Sequence, residues 1–185
     1  MTDRAVLSGW KIALDDPLSE RVAALLKESE QALRAQYRDE HIFTASAAEL
    51  AAPGCAFLTA TRRPSSSPRL ETIEPMTHEA LSTATPIGCI GLVPTGRNLA
   101  EIKRLYVTPA ARRKGLARGL VAALEETACA AGVTCLQLET GRAQGAAILL
   151  YEAMGYCPIP AFGAYLESPE SLCYEKILNS MERTS

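Results

Sequence analysis

Val107-Thr-Pro-Ala-Ala-Arg-Arg-Lys-Gly-Leu-Ala-Arg-Gly-Leu-Val121 sets four cations and two glycines where a strand gives way to a helix. A helix that only had to begin would need a capping residue and a proline. The start of a helix also presents unpaired N–H groups and a partial positive charge, a combination that binds phosphate. Here Arg112-x-x-Gly115-x-Ala117 opens the helix with small residues, which let an anion approach the backbone amides closely. The spacing is neither the P-loop G-x-x-x-x-G-K-[ST] nor the dinucleotide fingerprint G-x-G-x-x-G. The stretch predicts a pyrophosphate cradle; its plain alternative is a solvated basic helix start.

Working outward, Ala100–Val107 (AEIKRLYV) reads as the strand that leads into the turn. Residues 114–131 read as the helix, with Leu116, Leu120, Ala123, Leu124, Thr127 and Ala131 on one face. A strand at 134–140, a helix at 143–154 ending at Gly155, and strands at 156–159 and 172–177 follow. Upstream, 9–15 reads as a strand, and Pro17 and Ser19 open a helix that runs to about Tyr37. A short helix near 46–51 and strands at 55–61 and 87–93 complete the order. Residues 62–86, with four prolines and many Ser and Thr, read as a long surface loop. Strands alternating with helices imply one α/β domain over 1–185, a mixed central sheet of six to seven strands with helices on its faces.

The bulk composition agrees. A chain of 185 residues buries about 70% of its unfolded surface, enough for one substantial core. A net charge of −2 argues against general nucleic-acid binding, so the cationic turn is a local exception. No apolar run is long enough to span a membrane, and the first residues lack a signal-peptide layout. Six scattered cysteines without a C-x-x-C pair, and isolated His41 and His78, point to reduced thiols in the cytoplasm and to no metal site.

The cationic turn resembles the acetyl-coenzyme A signature of the GNAT N-acetyltransferase superfamily, [QR]-x-x-G-x-[GA]. Gln144-Gly-Ala-Ala-Ile-Leu-Leu-Tyr-Glu-Ala-Met-Gly-Tyr156 is similar to the second family signature, N-x-x-A-x-x-x-Y-x-x-x-G-[FY], with Gln144 in place of asparagine. The two signatures stand in the family's order over residues 100–156. The resemblance implies a GNAT-like sheet splayed between its two middle strands, here 100–107 and 134–140. It implies acetyl-CoA as co-substrate, no metal, and an acyltransferase that moves acetyl to a primary amine by direct attack on the thioester.

By the same resemblance, the amides of Arg113, Gly115, Ala117 and Arg118 would hold the pyrophosphate, with Arg112, Arg113 and Lys114 adding charge. Val107 would contact the pantetheine arm, and the Leu105 amide would face the thioester carbonyl as an oxyanion donor. Glu101 is the expected base, with side-chain parity shared by Lys103, Leu105 and Val107. Tyr151 is the expected acid toward the departing thiolate, and Gln144 an amide contact to the cofactor. Phe162–Tyr165 would hang near the acceptor mouth. A small-molecule amine is the first expectation for the acceptor and a protein amino group the second, with self-association left open. A non-catalytic acyl-CoA-binding regulator is the reading from another class.

Overall fold

The computed structural model describes residues 9–62 and 84–178. Seven strands form one sheet in the order β1-β2-β3-β4-β5-β7-β6. They are β1 (Trp10–Leu14), β2 (Ala56–Arg62), β3 (Pro86–Gly96), β4 (Leu99–Val107), β5 (Cys135–Gly141), β6 (Cys157–Ile159) and β7 (Ser171–Ile177). The helices are α1 (Glu20–Arg34), α2 (Ala47–Leu50), α3 (Leu116–Ala130) and α4 (Gly145–Ala153). The loop expected over 62–86 falls, apart from its ends, outside the described residues.

Each face of the sheet buries its own apolar cluster. Leu58, Ile90, Leu92, Ile102, Leu136 and Leu138 pack against Leu116, Leu120, Val121 and Leu124 of α3. On the opposite face, Phe57 and Cys89 meet Val22, Leu25 and Leu26 of α1 and Leu50 of α2. The alternation of Phe57 and Leu58, or of Cys89 and Ile90, is the period-two consequence of a strand covered on both sides. The short α2 forms because Ser46 and Glu49 make a reciprocal capping box: Glu49 N–H donates to Ser46 Oγ and Ser46 N–H to Glu49 Oε2.

Two irregularities position the site. The first is the junction of β4 and β5, the one parallel pairing among the described strands. It holds only from Leu99↔Cys135 to Ile102↔Leu138. Beyond it β4 follows β3 to Val107 while β5 follows β7 to Gly141, so the sheet opens into a wedge as expected.

The second is a bulge in β4. Lys103 lies opposite Gly91 but Tyr106 lies opposite Cys89, and Arg104 between them has φ of 59°. A non-glycine residue in that region costs about 1–3 kcal/mol unless its surroundings hold it. Arg104 is held: its side chain is 2% exposed, and its two terminal nitrogens reach Glu30 Oε1 at 3.1 Å. The bulge corrects the expected parity. Glu101 and Lys103 no longer share a face with Val107, which pairs with Gly88 and joins the α3-side core.

Candidate active site

At the end of β4 the chain makes one 3₁₀ turn at Pro109–Ala111 before α3. Arg113 (φ 58°) and Gly115 (φ 81°) then reverse the backbone curvature. Among the described residues, no backbone carbonyl accepts a hydrogen bond from the amides of Arg113 to Arg118; the first intrahelical bond runs from Gly119 N–H to Gly115. Such concave runs of free N–H groups, alternating right- and left-handed, bind anions. The turn therefore fits the pyrophosphate of coenzyme A.

The cations divide by role. Arg112 folds back, with Nε donating to the Val107 carbonyl at 3.0 Å and its guanidinium 5.7 Å from the Tyr106 ring centre. Lys114 turns onto the Ala110 carbonyl at 3.0 Å. Arg113 and Arg118 line the cleft beside Gly115 and Ala117. Two of the cations thus brace the turn through backbone carbonyls.

The cleft runs from this turn through the wedge between β4 and β5 and has a volume of about 680 Å³. Leu105, Val107, Gln144 and Tyr151 all line it, so one space gathers most of the expected site. Gln144 occupies the N-cap position of α4, where its Oε1 accepts from Thr140 Oγ1 at 3.4 Å. Tyr151 is 4% exposed. Its phenol is pushed well above the ordinary value, first by burial and then by the charge of Glu139, and so stays protonated.

Glu101 is placed elsewhere. Its carboxylate is buried, with Oε1 at 2.8 Å from Lys103 Nζ and accepting from the Tyr165 hydroxyl at 2.5 Å. Lys103 also donates to the Tyr165 oxygen, which closes a three-membered cluster. Glu101 faces a second cavity of about 390 Å³, whereas Lys103 lines both spaces. Tyr165 stands between Phe43 and Phe162, edge-on to each with ring centres 5.1 Å apart.

Two cleft residues escaped the sequence reading. Glu139, near the end of β5, faces the cleft and accepts a 2.6 Å hydrogen bond from Ser171 Oγ. Burial raises its carboxyl above the usual range, and the charge of Glu101 adds to this; Ser171 and Lys103 oppose it. The available signal was a carboxylate near the open end of a strand whose Leu136 and Leu138 mark it as buried. Tyr37, beyond α1, accepts from the Ala143 amide at 2.9 Å and ties the end of α1 to the turn before α4. A Cβ on Gly141 would clash with the Tyr37 hydroxyl. Gly141→Ala is therefore expected to lower stability by about 1–3 kcal/mol, read from the denaturation midpoint. In a Tyr37→Ala background the same change should cost far less.

The comparisons agree with this geometry. The acetyltransferase (GNAT) family profile matches residues 57–156, which include the turn, the wedge and α4. An IAA acetyltransferase of Azospirillum brasilense is 32% identical over 168 residues, covering 90% of this chain and 97% of that protein. A structure from Klebsiella pneumoniae, described as a candidate acyl-CoA N-acyltransferase, superposes with a TM-score of 0.67 at 26% identity, over 92% of this chain and 98% of that one. The PaiA N-acetyltransferase of Thermoplasma acidophilum, solved with coenzyme A, shares the fold with a TM-score of 0.58 at 19% identity, over 90% and 99% of the two chains. The chain belongs to the GNAT family of acetyltransferases, which are acetyl-CoA-dependent enzymes.

Proposed function

We propose that this acetyltransferase moves acetyl from acetyl-CoA to the primary amine of a small molecule by direct attack, with Glu139 as base and Tyr151 as acid. One observation carries the reading: Glu139 and Tyr151 line the same cleft, the carboxyl raised by burial and the phenol held protonated. Bound acetyl-CoA supplies the activated acetyl group. The amides of Arg113 to Arg118, with Arg113 and Arg118 themselves, would hold its pyrophosphate; Leu105, Val107 and Gln144 would contact its arm. The relative named for IAA supports a small-molecule acceptor.

An amine with a pKa of about 8–10 is charged at neutral pH and must lose a proton to react. We assign that step to Glu139, directly or through water, because it lines the cleft while Glu101 pairs with Lys103 and Tyr165. Tyr151 then has the proton that a departing thiolate requires. A fixed Leu105 amide would stabilise charge on the thioester oxygen.

Calorimetric titration with acetyl-CoA should saturate, and an amine panel should release thiol in step with acetyl transfer. Tyr151→Phe is expected to lower kcat by roughly 10²-fold while leaving the acetyl-CoA Kd within about threefold. Equal turnover in that variant would remove Tyr151 from the chemistry. Saturable cofactor binding without thiol release from any amine would overturn the transferase reading.

A further inference from the structure

We infer that the second cavity is the acceptor's pocket, that Lys103 and Tyr165 form the threshold between it and the cofactor cleft, and that the acceptor is a primary amine on a compact, uncharged, partly apolar body. This rests on the reading of the cleft as the acetyl-CoA site. The cavity, at about 390 Å³, is at the small end of ligand pockets, which run from about 300 to 1,000 Å³. Lys103 is a wall of both this cavity and the cleft. In this proposal the amine reaches the wedge, which Glu139 lines, by way of Lys103.

The chemistry of the walls selects the body. Leu99, Phe162 and Tyr165 are apolar or aromatic, and Thr95 and Gln137 are polar without charge. Lys103 and Glu101 are the charged lining residues, and each is spent on the other: Nζ lies 2.8 Å from Oε1, and the Tyr165 hydroxyl closes the triangle. Their side chains are only 17% and 8% exposed, so water compensates a broken pair poorly. An acceptor carboxylate would have to take Lys103 from Glu101, and a second ammonium would have to displace Lys103. An uncharged body leaves the pair intact and lies against the aromatic walls.

The selection can be reversed in both directions. Phenethylamine, phenylalanine and cadaverine compare an uncharged body with an added carboxylate and an added ammonium. The native protein should use phenethylamine with a kcat/KM at least about tenfold above the other two, a difference of about 1.4 kcal/mol. Lys103→Ala leaves Glu101 unpaired and should raise cadaverine relative to phenethylamine by about tenfold. Glu101→Gln frees Lys103 and should raise phenylalanine instead. A merely structural pair would lower all three alike, and circular dichroism and Tm report folding separately.

A native preference for phenylalanine or cadaverine, or an order unchanged in both variants, overturns the inference. Binding of the three amines to CoA-loaded protein, measured by calorimetry, separates the two readings. The predicted order of binding without thiol release would sustain the pocket and sink the transfer reading. Thiol release with the wrong order would do the reverse, and no binding of any of the three overturns the pocket.

Discussion

Gly115→Glu is expected to abolish acetyl-CoA binding, so that a titration that saturates with the native protein shows no binding heat at millimolar ligand. Two effects act together. Gly115 holds φ at 81°, where a residue with a Cβ loses about 1–2 kcal/mol, and its replacement would tilt the amides that follow it. The new carboxylate would also sit among N–H groups that otherwise face a phosphate, filling the nest with charge of the ligand's own sign. Gly115→Asn separates the two, because asparagine tolerates the left-handed region and carries no charge. It should weaken binding by only about tenfold, roughly 1.4 kcal/mol. Native-like affinity in a folded Gly115→Glu protein would show that the turn does not hold the cofactor.

The same turn explains why so much was legible in the sequence. Its chemistry is local: small residues, a glycine and free amides lie within six positions, so spacing alone brings them together. Strand and helix order was legible for the same reason, since the apolar periods of α3 and β5 are written in consecutive residues. The bulge at Arg104 is different. Its positive φ is held by Glu30, 74 positions earlier on α1, and nothing in Ile-Lys-Arg-Leu marks the site. That one residue reassigns every side chain on one side of it. Glu101, expected to look into the cleft with Leu105 and Val107, instead pairs with Lys103 under Tyr165. Glu139 was hidden by another limit. On a strand covered on both faces, hydrophobic alternation does not say which face a carboxylate takes. Only the pairing of β5 with β7 brings Ser171 to Glu139.

Glu139→Gln therefore carries the second large expectation: kcat should fall by about 10²–10⁴-fold, the range typical of a lost general base. Acetyl-CoA binding should persist, since the pyrophosphate turn lies on α3 and the amide preserves the shape of the side chain. Ser171 can still donate to the amide oxygen. The pH profile makes the assignment specific. Because Glu139 titrates above the ordinary carboxyl value, the acid-side inflection in activity should also lie above it, with activity gained as pH rises through it. Glu101 pushes Glu139 upward and Lys103 pulls it down. Glu101→Gln should hence move the inflection to lower pH and Lys103→Ala to higher pH, opposite shifts from two members of one ion pair. In Glu139→Gln the inflection should vanish. Retained turnover with an unmoved inflection would transfer the role of base to another group, and Glu101 would then be the first to test.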